Sequence, residues 1–169
     1  LLGVAYIPLK GRLYDVAAST RKDPEAAKWP AESVPPEKAF DKLSLRTGFT
    51  PQDQYLLLDG ISVLSHGHED GASILRFTDN GRLFLAEGHY VEISARRHNT
   101  MLVSHDGVSY APPPLVSLES KASLGSAGLV EVLSSAYNGV DWRRGLLWLP
   151  EEAIVIVDRL TAREPGEYS

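Results

Sequence analysis

The sequence predicts an all-β protein: an antiparallel β-sandwich entered through an irregular, proline-rich N-terminal arm. Three observations predict it. Apolar residues after Phe40 recur with period two, Leu43 and Leu45 alternating with Ser44 and Arg46, the spacing that puts alternate side chains on one face of a strand. Asp79-Asn80-Gly81 separates two such runs, Ser73 to Thr78 and Arg82 to Ala86, and Asn-Gly supplies the positive φ angles of a tight hairpin turn. No segment after Pro36 keeps a 3.6-residue period for three turns, so nothing there reads as a long amphipathic helix.

Taken in chain order, residues 1–39 read as a connecting arm. Pro24, Pro30, Pro35 and Pro36 interrupt it, and its single helical signal is Asp23 as N-cap, Pro24 at the first helical position, then EAAKW. Residues 40–169 read as the sandwich domain, expected to be truncated at its C-terminus. After Leu43–Leu45 comes the run Tyr55 to Leu58, ended by Asp59-Gly60, and then the Asn-Gly hairpin. Further strands are expected at Tyr90 to Ile93, Thr100 to Val103, Leu129 to Leu133, Gly145 to Leu149 and Ala153 to Leu160, with Pro112-Pro113-Pro114 a stiff loop among them. Many short strands at this spacing bury alternate side chains between two sheets.

Composition bounds the function. A chain of 169 residues, 43% of them hydrophobic, is one domain's length with enough apolar mass for a core. Seventeen basic against 22 acidic residues leave a net charge of −5, so no overall basic field would hold nucleic acid or an anionic membrane. The longest apolar runs are a handful of residues, far below the roughly 20 that span a bilayer, and no signal peptide is seen. With no cysteine, disulfides, thiolate metal sites and cysteine nucleophiles are excluded together, and the compartment stays open. The chain starts at Leu1 and has Met101 as its only methionine, which reads as a piece of a longer protein.

All five histidines, His66, His68, His89, His98 and His105, fall within one 40-residue window, so imidazole chemistry is sought there. In SHGHEDG, His66 and His68 are two apart and would share one face of an extended strand, with Gly67 allowing close approach. Two imidazoles supply at most two of the three or four protein ligands zinc needs, and His98 and Glu87 are the nearest candidates to complete the set. The plainer reading is that one or both histidines bond backbone groups at a strand end. His66, His68 and Asp70 also resemble the metallo-β-lactamase hydrolase signature, but Gly71 stands where that motif wants another histidine and a hairpin follows where it wants a helix.

The ordered segments YLLLDGISVLSHGHEDGASILRF, GRLFLAEGHY, RRHNTMLV and WRRGLLWLPEEAIVIVDRL resemble the heparinase II/III-like polysaccharide lyases, specifically their C-terminal β-sandwich part, over about Phe40 to Leu160. The resemblance implies a parent that cleaves an acidic, uronic-acid-containing polysaccharide by β-elimination in the periplasm or outside the cell. It implies that His66 is the histidine presented to the substrate cleft, that His68 and His98 bind a structural Zn2+ or similar divalent ion, and that Glu87 stands where the family has an aspartate ligand. If Gly88-His89-Tyr90 is aligned on the family's Gly-x-Tyr pattern instead, that slot falls on Ala86. It further implies an N-terminal α/α toroid carrying the principal tyrosine acid/base; nothing in this chain has the periodicity to be that toroid, so the chain holds half an active site and is expected to be inactive alone.

The residue types suit the chemistry. Removing the proton α to a carboxylate and expelling the 4-linked sugar requires a base, an acid for the leaving oxygen, and groups that neutralise the carboxylate. Candidate substrate-binding residues are Arg96 and Arg97, whose guanidinium forks match planar anions, with Asn99 beside them and Tyr90, which either lines a sugar subsite or packs in the sandwich. On a strand the two arginines would point to opposite faces, so one would meet the ligand; a solvated charge pair is the plainer reading. Asp70 either orients the histidine loop or caps a turn, and Arg143 and Arg144 receive no catalytic role. Two rivals stand beside the lyase: a non-catalytic carbohydrate-binding or scaffolding sandwich, and a metal-dependent hydrolase.

Overall fold

The computed structural model describes residues 4–19, 33–62, 68–88 and 91–169. Among these residues, nine strands build two antiparallel sheets, in the orders β1-β2-β3-β4-β5 and β6-β7-β8-β9. The first sheet comprises β1 (Val4–Pro8), β2 (Phe40–Arg46), β3 (Tyr55–Asp59), β4 (Ile74–Asp79) and β5 (Arg82–Ala86). The second comprises β6 (Ser117–Ser123), β7 (Gly128–Tyr137), β8 (Val140–Leu149) and β9 (Ala153–Ala162).

Period two sets which residues are buried. Leu43 and Leu45 of β2 lie opposite Leu58 and Leu56 of β3, and all four are buried. From the second sheet, Val130, Val132, Trp142, Leu146 and Trp148 enter the same core, so the sheets pack face to face and the chain is the expected all-β sandwich. Both tight hairpins turn on Asn-Gly. Asn80 and Gly81 have φ of 49° and 70°, and Asn138 and Gly139, joining β7 to β8, have 49° and 84°, the left-handed pair that a two-residue hairpin loop demands.

Several elements differ from the sequence expectation. The arm contributes β1, paired with β2, and a helix α1 (Gly11–Ser19) that joins Leu9, Val34, Ala39, Ile61 and Leu115 in a second small core. Tyr14 Oη donates to Val34 O at 2.6 Å to fasten it. The helix expected at Asp23-Pro24 lies outside the described residues. The strands expected at Tyr90 to Ile93 and Thr100 to Val103 do not form over the residues described. Side chains take the ladder's place there: Asn99 Nδ2 donates to Ile74 O and Ala86 O, and Thr100 Oγ1 to Gly71 O, while Val103 still enters the core. The polar strand β6 was not expected. It follows the triple proline, where Leu115 pairs with Ile61 and the chain crosses between sheets.

Candidate metal and substrate site

Within the histidine window, His68 and His98 lie on two irregular loops at one end of the first sheet, to either side of the β4–β5 hairpin. One, residues 68–73, leads into β4; the other, residues 91–100, follows β5 and contains a single 3₁₀ turn, Ala95–Arg97. They are sewn together. Glu69 N donates to Ile93 O at 2.8 Å, and Glu69 Oε2 accepts from Ala95 N at 3.0 Å, occupying a donor that the start of a helical turn leaves open. Gly71 is required by crowding: its N–H donates to Ser62 Oγ at 2.8 Å, and a Cβ there would lie 2.2 Å from that oxygen. Ala72 next to it is left-handed, φ 57°.

These loops bring His68, Asp70 and His98 together, each offering one ligand atom within 4.8 Å of the others. The two imidazole centroids are 5.4 Å apart with planes at 68°. The His98 side chain is 4% exposed; its Nδ1 bonds Glu87 Oε2, and its Nε2 is buried without a hydrogen-bond partner among the described residues. Burial pushes the Asp70 carboxyl above its ordinary value, the His98 and His68 imidazoles pull it down, and Glu87 pushes it up. Two imidazoles, one of them with its Nε2 buried and unbonded, and a carboxylate form a donor set of the kind divalent zinc takes, one ligand short of a four-coordinate shell.

Glu87, which the sequence puts third in the metal set, is placed differently. Its carboxylate meets Nδ1 of His98, accepts from Asn99 N at 3.1 Å and bonds Ser73 Oγ, so it grips the loop that carries His98. Asn99, expected toward substrate, directs its amide to the sheet backbone. Arg96 and Arg97 are exposed and sit on the 3₁₀ turn, not on a strand, so they diverge by roughly 120° and not by the 180° of strand neighbours; Arg97 lies 3.9 Å from Glu92. Likewise His68 and His98 are borne by loops, not strands. His66 and Tyr90 lie outside the described residues. Past Asp70 the chain turns directly into β4 with no helix, unlike the metallo-hydrolase motif.

One neighbour is a residue to which the sequence assigns no catalytic role. Arg144 of β8, 6% exposed, reaches from the second sheet to Ala72 O and Asn99 O. No local motif announces it, because its role depends on which loops the far sheet brings near.

No protein-family model matches this chain, and no curated protein matches it. Among solved structures, the crystal structure of heparinase III aligns over 83% of this chain with a TM-score of 0.59 and 19% sequence identity. The chain spans 24% of that structure's chain. At this identity the likeness establishes the fold, which is heparinase-like.

Proposed function

We propose that the chain is the sandwich portion of a polysaccharide lyase that cleaves an acidic, uronic-acid-containing polysaccharide by β-elimination. The observation that carries this reading is the heparinase-like fold, which covers most of the chain yet only a quarter of the structure it resembles. The loop cluster supports it. In this reading His66, two residues before His68, is the cleft histidine; the proton α to the uronate carboxylate is removed, the bond to the 4-linked oxygen breaks, a double bond forms in the sugar, and the leaving oxygen is protonated. In the same reading Arg96 or Arg97, both exposed and next to His98 in sequence, offsets carboxylate or sulfate charge. The rest of the acid/base machinery and the groove belong to an α/α toroid elsewhere in the protein, and the parent acts in the periplasm or outside the cell. No helix among the described residues is long and apolar enough to cross a membrane.

In the same proposal His68, Asp70 and His98 hold a zinc or similar divalent ion, and Glu87 orients His98 through Nδ1, as carboxylates commonly do behind histidine ligands. The ion's part is structural: it would fix the two loops that present the cleft.

The test is to incubate the full-length protein with heparin, heparan sulfate, chondroitin and alginate, following ultraviolet absorbance of an unsaturated product. A rise on at least one polymer is expected. New reducing ends without that absorbance would identify a hydrolase, and binding without cleavage a scaffolding sandwich; either overturns the reading.

A further inference from the structure

We infer that Arg144 is the positioning residue that sets the spacing between the two loops bearing His68, Asp70 and His98. This deepens the proposed function and rests on its reading of that cluster as a metal site.

The argument begins with a buried charge. Arg144 sits in β8 directly opposite Asp158 of β9, its side chain turned into the space between the sheets, beside Trp142 at 4.8 Å. A guanidinium there is tolerable only when paired and hydrogen-bonded. Nε and Nη2 donate to the two carboxylate oxygens of Asp158 at 2.8 and 3.0 Å, a bidentate fork that fixes the plane of the group. Trp142 Nε1 donates to the same carboxylate at 2.9 Å, fixing Asp158 in turn.

The remaining reach is what matters. Nη1 donates to Ala72 O at 2.8 Å and to Asn99 O at 2.9 Å. Ala72 is two residues from Asp70, and Asn99 is the residue after His98. One nitrogen, held by a rigid fork on the second sheet, therefore fixes two backbone carbonyls, one on each cluster loop. The other ties, from Glu69 and from Thr100 to Gly71, join the loops to each other; Arg144 references both to the opposite sheet. It also stabilises the left-handed turn at Ala72, which a non-glycine residue adopts only where surroundings hold it. Lysine cannot replace it, because an ammonium has no fork to grip Asp158 while spanning two carbonyls.

The experiment compares the wild-type chain with Arg144→Lys and Arg144→Met by hydrogen exchange and by titration with Zn(II) alone. Arg144→Lys keeps the charge and serves as the second variant should Arg144→Met fail to fold. Expected is a joint gain in exchange in residues 68–73 and 91–100, with β6 and β7 protected as in wild type, and Zn(II) affinity lower by about tenfold or more in both variants. A Co(II)-loaded variant should also show an altered visible spectrum. Unchanged exchange in the two loops, or a gain confined to β8 and β9, overturns the inference even if zinc binds. If the wild type binds no zinc while the loops still open together, the metal reading falls and the positioning role stands.

Discussion

Glu87 grips His98 at Nδ1, leaving Nε2 of that buried ring without a hydrogen bond among the described residues. In a neutral imidazole, a proton on Nδ1 donated to this carboxylate leaves Nε2 as the lone-pair nitrogen, the one a metal would take. It also separates two carboxylates that composition treats alike: Asp70 shares the cluster with both imidazoles, and Glu87 stands behind one of them.

Glu87→Gln is therefore expected to weaken zinc binding by roughly 10- to 100-fold, with stoichiometry kept, whereas Asp70→Ala and His98→Ala should abolish it. Isothermal titration with Zn(II) distinguishes them. Complete loss in Glu87→Gln with near-normal binding in Asp70→Ala would reverse the two roles.

Asp59 gives the stability a pH dependence. Its side chain is 5% exposed, and burial pushes its carboxyl up to about 7, with Lys42 at 3.0 Å and the Ile61 N–H pulling it down and Asp70 pushing it up. The folded state thus keeps a proton that the unfolded chain releases near the ordinary carboxylate value. Stability present below about pH 4 is lost as pH rises to about 7 and is level above it, by at most roughly 4 kcal/mol for a shift of this size. Asp59→Asn should flatten that segment of a urea-denaturation profile measured from pH 4 to 8. An unaltered slope would show that Asp59 is not the titrating group.

Gly71→Ala should lower stability by about 1–3 kcal/mol through overpacking. Its Cβ would meet Ser62 Oγ at 2.2 Å and Val116 Cγ2 at 3.2 Å, and Ser62 is fully buried, so relief breaks the Gly71 N–H bond to that oxygen. A shifted denaturation midpoint with unchanged m-value is the expected readout; no shift would mean the loop relaxes freely.

In the full-length protein, the two histidines of SHGHEDG should fail differently. His66→Ala is expected to cut turnover about 100-fold or more while metal content and melting temperature hold. His68→Ala should first release metal and lower the melting temperature, with activity falling as a consequence. Metal loss in His66→Ala would exchange the assignments.

Much of the fold was legible because its signals are local. Asn80-Gly81 marks one hairpin, and Leu43, Leu45, Leu56 and Leu58 alternate as a buried face requires. Asn138-Gly139 carries the same turn signal, and reading it would have joined the strands expected at Leu129 and Gly145 into the ten-residue arms of β7 and β8. What stayed hidden depends on distant partners. β6 is largely polar and exists because it pairs with β7; β1 emerges from the arm because β2 offers its edge. At the site, imidazole clustering pointed to His68 and His98. Spacing could not tell Asp70 from Glu87 as their carboxylate neighbour, since a turn at Gly71-Ala72 decides it. The reach of Arg144, set aside because it lies far along the chain, was unreadable for the same reason, its partners being carbonyls 72 and 45 residues away in sequence.

The measurement that bears most directly on the central claim, that His68, Asp70 and His98 form one divalent-metal site, is elemental analysis of the chain purified without added metal, beside His68→Ala, Asp70→Ala and His98→Ala. The account predicts about one zinc or similar ion per wild-type chain and a large loss in each variant. A wild-type chain with no bound metal, even after saturation with Zn(II), or variants that retain the wild-type ratio, would contradict it.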